Sequence, residues 1–285
     1  LQKAGLSAYV GKVNMDRNSP EFLIEETNHS LADTKAWLES SAQFGPFVKP
    51  IITPRFVPSC TGELMNGLGK LAEEYKVPVQ SHLSENHGEI DWVASLHPES
   101  SNYTDVYYEH HLMGTVPTVM AHCIHLSDAE MDRLAETQTM VSHCPYSNVN
   151  LSSGIAPIRK LIERNIPIGL GSDISGGHIV SMAKVLTEAI GLSKMKWAEV
   201  DSNYAPLTLS EAFYMATKGG GQFFGHVGSF EKGYELDALI IDDTSLFDPN
   251  ERSLEERLER WLYVGDDRHI IERYVAGRVV PSPKG

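Results

Sequence analysis

The chain has 285 residues, of which 41% are hydrophobic and 22% are charged. That length accommodates one large α/β domain, or a barrel with a small additional piece. The chain carries 24 Lys and Arg against 38 Asp and Glu, which gives a formal net charge of −14. Because an acidic surface repels nucleic acid and anionic membranes, we expect neither of them as a partner.

Cysteine use and hydropathy narrow the class of protein further. Cys60, Cys123 and Cys144 are scattered and odd in number, and no CxxC motif occurs. This pattern predicts reduced thiols in a cytoplasmic protein rather than a disulfide framework. No apolar run approaches the roughly 18 residues that a membrane-spanning helix requires, so we expect no span.

Strand-like stretches rich in Val and Ile alternate with helical stretches from the start of the chain as far as Ser193. The predicted strands are 7–14, 48–53, 77–82, 116–121, 138–143 and 166–171. The predicted helices are 28–42, 61–75, 85–96, 104–113, 127–136, 155–164 and 178–193. This alternation predicts a parallel sheet that is covered on its outside.

The pattern changes after Ser193. A helix is predicted at 208–224, a hairpin and strand at 228–242 with Gly233 at the turn, and a charged helix at 253–262. A second strand pair is predicted at 271–281 around Ala276-Gly277. Two β segments after a barrel indicate a small β domain.

These elements predict an α/β protein with a (β/α)8 TIM-type barrel, of which six of the eight units are visible. Residues 1–226 would form the partial barrel of a metal-dependent hydrolase. Residues 227–285 would contribute to a small C-terminal β-sandwich domain with a flanking helix. We expect the two remaining strand–helix units in a segment that precedes Leu1.

Three predicted strands end in residues that can bind metal or transfer protons. His82 and Glu85 follow the third strand, His122 ends the fourth, and Asp173 follows the sixth. Several strands delivering polar residues at their carboxyl ends is how a (β/α)8 barrel builds an active site. Two imidazoles and a carboxylate suit a zinc-like ion and leave room for further ligands. A carboxylate beside a ligating histidine is the arrangement by which hydrolytic deaminases move a proton.

Each of these residues also has a simpler interpretation. His82 could cap the following helix while Glu85 favours its N-terminal dipole. His122 could be a buried core histidine. Asp173 could be the N-cap of the helix at 178–193, although the gap between them makes it a poor cap. Their shared position at strand ends favours the site interpretation.

Three further residues are candidates for substrate contact. His143 closes the fifth strand and could form a hydrogen bond to substrate or support a ligand. Arg55 and Phe56 follow the second strand, where Arg55 could bond a carbonyl oxygen and Phe56 could stack on a flat ring. The simpler alternative for Arg55 is a surface ion pair.

Together these segments resemble the amidohydrolase superfamily in its deaminase and chlorohydrolase branch, and within it the guanine deaminases. The TPRF and SHLSEN pair is fairly specific to that group, whereas the other elements are shared across the branch. The matching segments are AYVGKVNMD (8–16), TPRFVPSC (53–60), QSHLSEN (80–86), MAHC (120–123), HCPYSN (143–148), GLGSDISGG (169–177) and YVGDDRHI (263–270).

The resemblance implies roles for the candidate residues. His82, His122 and Asp173 match metal ligands, most simply for Zn²⁺, with Fe²⁺ as an alternative. Glu85 matches the glutamate that shuttles protons. Arg55 and Phe56 match residues that contact guanine. The resemblance also implies a homodimer, which the charged groups beside Trp261 and Tyr263 would suit.

The chain departs from the family pattern in one respect. The family carries an H-x-H metal pair on the first barrel strand, and no H-x-H occurs in this sequence. His110 and His111 are adjacent and fall in a predicted loop, so they are poor substitutes. We therefore expect the H-x-H pair in the same segment as the two remaining barrel units.

The resemblance and the residues together predict hydrolytic deamination of guanine to xanthine and ammonia by a metal-activated water. An alternative of the same class is another amidohydrolase, such as a cytosine deaminase or a triazine chlorohydrolase. An alternative of a different class is a metal-free barrel homologue that acts as a binding or scaffold protein.

Overall fold

The computed structural model describes residues 1–281, and its contacts divide them into two compact units. The first unit comprises Leu1–Gln2, Ser7–Ser142 and Ala156–Pro167. The second comprises Lys3–Leu6, His143–Ile155 and the chain from Ile168 onward.

The strands are short, and those of the first unit pair in parallel. They are β1 (Ala8–Val10), β2 (Val13–Asn14), β3 (Val48–Pro50), β4 (Thr53–Pro54), β5 (Val79–Leu83), β6 (Thr118–His122), β7 (Met140–His143), β8 (Ile168–Leu170), β9 (Ala238–Ile241), β10 (Ile270–Val275) and β11 (Arg278–Val279).

Helices follow most of the strands, as the alternation predicts. They are α1 (Thr27–Ser40), α2 (Gly62–Tyr75), α3 (His87–Leu96), α4 (Tyr103–Glu109), α5 (Asp128–Thr137), α6 (Pro145–Asn150), α7 (Ile158–Glu163), α8 (Met182–Glu199), α9 (Leu209–Tyr214) and α10 (Leu254–Val264). A π-helical turn, Met215–Gly219, continues α9.

The strands that carry the candidate site lie side by side in the first unit. β5 pairs with β6 in parallel, with a register that runs from Val79 opposite Thr118 to Leu83 opposite His122. β6 pairs in parallel with β7. Alternate side chains of β5 and β6 are buried, because successive side chains of a strand point to opposite faces.

Local sequence determines where the helices of this unit begin. Asn86 and Glu89 form a capping box at the start of α3, and Ser127 and Glu130 form one at the start of α5. In each box the N-cap side chain accepts from the N3 backbone N–H and the N3 glutamate accepts from the N-cap backbone N–H. These caps fix the direction in which each chain leaves its strand.

The second unit contains an antiparallel sheet in the order β11-β10-β9. The predicted strand pair around Ala276-Gly277 is confirmed, and both residues adopt positive φ, 48° and 73°. The predicted hairpin at 228–242 is wrong. Only β9 forms there, and its partner is β10, because the strand pairs with a distant segment rather than folding back at Gly233.

Other boundaries also differ from the predicted ones, and the predicted strand at 48–53 is divided into β3 and β4. The predicted strand at 7–14 is split at Gly11, where an added Cβ would overlap Thr53 Oγ1 and lie 2.6 Å from the Ile51 carbonyl oxygen, so the backbones approach closely. The predicted helix at 178–193 begins later and extends further, as α8. Within residues 1–281, no helix is both long and apolar enough to cross a membrane.

Candidate active site

His82 lies next to the end of β5, and its ring orientation is fixed by the main chain. Its Nδ1 is 2.7 Å from the carbonyl oxygen of Arg55. A carbonyl can only accept, so Nδ1 carries a proton and donates it. Histidine ligands of metals commonly donate their other ring N–H to a backbone carbonyl in this way.

His122 ends β6, directly opposite Leu83 in the register. It is 1% exposed, and its ring lies against that of His82 with 5.3 Å between centroids and 26° between planes. His122 Nε2 is 3.7 Å from Glu85 Oε2. The parallel pairing of two neighbouring strands therefore brings His82, His122 and Glu85 together.

Glu85 lies in the short link between β5 and α3. The helix begins at His87 with Asn86 as its N-cap, so neither His82 nor Glu85 caps it. The interpretation of His82 as a helix cap is therefore wrong. Glu85 has a side-chain exposure of 17%, and the contact with His122 places its carboxylate at the histidine pair rather than in bulk solvent.

The backbone at these strand ends is held in an unusual conformation. Ser84, His122 and Cys123 have φ values of 49°, 71° and 53°. The Ser84 carbonyl accepts from the N–H groups of Ile124 and His125, each at 3.1 Å. Left-handed backbone in non-glycine residues costs of order 1–3 kcal/mol and concentrates at functional sites. The link after β5 and the link after β6 are thus tied together where the candidate residues lie.

Arg55 and Phe56 follow β4 in the same unit. The Arg55 guanidinium carbon is 5.3 Å from the centroid of the Phe56 ring, and Arg55 Nη1 contacts Met15 Sδ at 3.7 Å. Phe56 also packs edge-to-face on Trp92, with 6.4 Å between centroids. Among residues 1–281, Arg55 forms no ion pair, which disfavours its interpretation as a surface ion-pair residue.

His143 and Asp173 belong to the second unit. His143 ends β7, as predicted, is 1% exposed, and its carbonyl accepts from the Gly171 N–H at 2.9 Å. Asp173 has a φ of 43°, and α8 has Ser181 as its N-cap, so Asp173 does not cap that helix. A Cβ added to Gly176 would lie 2.6 Å from Asp173 Oδ2, so glycine is required for the carboxylate to keep this position.

The donor set of the first unit fits part of a zinc shell. A catalytic zinc takes three protein ligands, and imidazole nitrogen is among its preferred donors. The described residues, 1–281, contain no group of three or more His, Cys, Asp or Glu side chains arranged to hold a metal ion. His82 and His122 therefore supply two donors of the right chemistry, and a complete shell needs others.

Sequence reasoning did not identify the residues that support this site. Ser81, Glu89, Tyr103 and Tyr107 are buried behind the strand ends, and burial raises the pKa of both tyrosines. Their hydroxyls therefore stay protonated and able to donate. The N-x-x-E spacing of Asn86 and Glu89 is a readable capping signal, but it indicates a helix start rather than a role at the site.

The strand-end histidines, the adjacent carboxylate and the parallel α/β architecture define a class of hydrolase. The chain belongs to the amidohydrolase family, whose model matches residues 2–280.

Within that family the chain is similar to guanine deaminases. It is 44% identical to guanine deaminase of Dictyostelium discoideum, over 98% of this chain and 64% of that protein. It is 37% identical to the Escherichia coli enzyme, over 95% of this chain and 62% of that one. The chain thus spans less than two thirds of the length of these relatives.

A solved structure of a guanine deaminase is also similar to this chain. Guanine deaminase from C. acetobutylicum, with guanine bound in its active site, has a TM-score of 0.95 and 53% identity, over 98% of this chain and 66% of that one. This likeness shows the α/β barrel-type fold of the family.

Proposed function

We propose that the protein deaminates guanine hydrolytically to xanthine and ammonia. The observation that carries the proposal is the grouping of His82, His122 and Glu85 at two adjacent strand ends. The similarity to guanine deaminases, one of them with bound guanine, supports the choice of substrate.

We propose that His82, His122 and Asp173 ligate one divalent metal ion, Zn²⁺ with Fe²⁺ as the alternative. The Nδ1 contact of His82 with the Arg55 carbonyl supports this role, because histidine ligands of metals commonly donate their other ring N–H to a backbone carbonyl. Such an ion lowers the pKa of a bound water and so supplies a nucleophile at neutral pH.

The remaining roles follow from the chemistry of each side chain. Asp173 accepts a proton from the attacking water, whose oxygen adds to the amino-bearing carbon of guanine. The proton that Asp173 accepts passes to Glu85, which delivers it to the ring nitrogen. Glu85 then takes the proton of the newly added hydroxyl and delivers it to the amine, so the carbonyl forms as the C–N bond breaks and ammonia leaves. Arg55 donates to the purine carbonyl, Phe56 stacks on the ring, and His143 forms a hydrogen bond to substrate.

We also propose the wider organisation that the family resemblance implies. The barrel would be a closed (β/α)8 barrel, with residues 1–226 in it and residues 227–285 in a small β-sandwich domain. The assembly would be a cytoplasmic homodimer, and the three buried cysteines, none of them in a disulfide, are compatible with a reducing compartment.

The proposal is tested by metal analysis and a substrate panel on the purified full-length protein. We expect about one divalent ion per chain and guanine turnover far above that of cytosine or chlorotriazines. Turnover of a chlorotriazine or cytosine in preference to guanine would support the other amidohydrolase alternatives. A folded protein with neither metal nor turnover would support the scaffold alternative.

A further inference from the structure

Helix α4 carries two buried tyrosines whose hydroxyls reach the strand ends of the candidate site. Tyr103 and Tyr107 are four residues apart, so they lie on the same face of the helix. They are 3% and 0% exposed, and their rings stack with 5.7 Å between centroids and 13° between planes. Both hydroxyls lie within 3.5 Å of the His82 carbonyl, but their shortest contacts differ.

Tyr107 is connected to His82. Its hydroxyl donates to the His82 carbonyl at 2.8 Å and lies 2.7 Å from Ser81 Oγ. Ser81 Oγ in turn donates to the Pro54 carbonyl at 2.8 Å. The His82 ring donates to the Arg55 carbonyl, so the ring and the backbone carbonyl of His82 are each held by a hydrogen bond.

Tyr103 is connected to Glu85 instead. Its hydroxyl donates to Glu89 Oε1 at 2.7 Å, whereas its distance to the His82 carbonyl is 3.5 Å. The other carboxylate oxygen of Glu89 accepts from the Glu85 N–H at 2.9 Å. Tyr103 and Glu89 therefore hold the backbone of Glu85, and the side chain of Glu85 extends from there to His122.

We propose that Tyr107 and Tyr103 are positioning residues that act mainly on different halves of the chemistry. Tyr107 fixes the backbone that presents His82 as a metal ligand, and Tyr103 acts through Glu89 to fix Glu85 as the proton carrier. This inference rests on the proposed function for the roles of His82 and Glu85.

The physical basis is the precision that such sites need. Ligands and catalytic groups must be held within about 0.5 Å of the productive geometry, and hydrogen bonds to surrounding residues provide this. Loss of an outer partner of a metal ligand typically costs 10–100-fold in affinity or activity. Because the two hydroxyls have different primary partners, their removal should give different defects.

The test compares Tyr107→Phe with Tyr103→Phe in the full-length protein. Each change removes one buried hydroxyl from the same helix face, so the losses of thermal stability should be similar and each variant controls for the other. We expect Tyr107→Phe to weaken zinc binding roughly 10–100-fold. We expect Tyr103→Phe to keep zinc affinity and to lower kcat for guanine with little change in KM.

Two readouts need neither zinc nor guanine, so they separate failure of this inference from failure of the proposed function. Hydrogen exchange of the Glu85 amide should accelerate in Tyr103→Phe and not in Tyr107→Phe. The ¹³C shift of the His82 carbonyl should change strongly in Tyr107→Phe, which removes its 2.8 Å hydrogen bond, and much less in Tyr103→Phe, whose hydroxyl is 3.5 Å away.

A conservative variant at Glu89 completes the test. Glu89→Gln keeps an oxygen that accepts from the Glu85 N–H, so it should retain slow exchange at Glu85, whereas Glu89→Ala should match Tyr103→Phe. Equal changes at Glu85 and His82 in both tyrosine variants would overturn the inference, because they would show general loosening of the unit. No change in either readout would also overturn it.

Discussion

The strand ends of the first unit and the C-terminal sheet of the second unit are built in opposite ways. At the ends of β5 and β6, Leu83 is 0% exposed and His122 is 1% exposed, and hydroxyls bond to main-chain carbonyls. In the C-terminal sheet, Leu239 and Ile271 are 53% and 57% exposed. The first region is fixed by buried contacts, whereas the second presents apolar side chains at its surface.

The polar contacts of the two regions differ in the same sense. Near the C-terminal sheet they are ion pairs at the surface, such as the paired contacts of Arg257 with Asp243, both at 2.7 Å. Solvent-exposed ion pairs contribute little to the free energy of folding, because water and salt screen the charges. Buried hydroxyl and backbone contacts fix geometry more strictly, since an unmade bond there leaves a desolvated group. The candidate catalytic residues therefore lie in the region whose geometry is fixed by buried hydrogen bonds.

The largest expected effect is on the proposed proton carrier. Glu85→Gln keeps the shape of the side chain and removes its acid–base function, so turnover should fall on the order of 10²–10⁴-fold. Steady-state kinetics with guanine measures this, and zinc content measured on the same sample should be unchanged. Near-normal turnover would remove Glu85 from the mechanism.

Alanine substitution of one buried and one exposed leucine tests whether the two regions differ in their contribution to the free energy of unfolding. Leu83→Ala removes a fully buried side chain and should cost about 2–5 kcal/mol in the free energy of unfolding. Leu239→Ala changes an exposed residue and should stay within about 0.5 kcal/mol of the unchanged protein. Chemical denaturation measures both. Equal losses would show that the sheet face around Leu239 is covered in the folded protein.

Arg55→Ala should weaken the use of guanine without unfolding the first unit. Losing a hydrogen bond from a charged donor costs about 1.5–3 kcal/mol, which corresponds to roughly a 10–150-fold fall in kcat/KM. Arg55→Lys is the matched control, because it keeps the charge and loses the planar fork. Kinetics identical to those of the unchanged protein would assign Arg55 to the surface.

Acid should destabilise the first unit through His97. Burial lowers the pKa of His97, and its Nε2 lies 3.3 Å from the Arg17 guanidinium, a donor that requires a neutral ring. His97 therefore binds a proton more readily in the unfolded chain than in the folded one. Its contribution to the free energy of unfolding is complete above about pH 6.5 and is lost as pH falls below that value.

His97→Gln provides the comparison for that pH effect, since it keeps a polar side chain that does not titrate. Denaturation midpoints measured between about pH 7.5 and 5 should fall less steeply in the variant than in the unchanged protein. Superimposable slopes would mean that other groups account for the acid sensitivity.

The smallest effect is expected at Arg257. Its contacts hold the pKa of the Asp243 carboxyl below its usual value, but the Arg257 side chain is 52% exposed. Arg257→Ala should therefore be hard to distinguish from the unchanged protein by chemical denaturation. A clear loss would contradict the contrast between the two regions.

Much of the first unit could be predicted from the sequence because its signals are local. Apolar runs mark the strands, and His82 and His122 follow from their positions at the ends of such runs. The hairpin around Gly233 could not be excluded in this way. Glycine there indicates a turn, whereas the pairing of β9 with β10 joins segments far apart in sequence.

The supporting residues of the candidate site were beyond sequence reasoning for a related reason. The spacing of Tyr103 and Tyr107 shows that they share a helix face, but not which strand that face covers. The close approach at Gly11 that splits the first predicted strand likewise depends on Thr53. Such contacts become visible only when both partners are placed in the fold.

The positive φ angles at the strand ends also affect which substitutions these positions tolerate. Glycine adopts positive φ without the steric cost that a Cβ imposes, and β-branched residues tolerate it least. At Cys123, glycine would give up a fully buried thiol and its contacts with the Met120 and Ala121 carbonyls, at 3.6 and 3.8 Å, but would relieve the backbone. Valine would keep a buried side chain but would be opposed by the backbone itself.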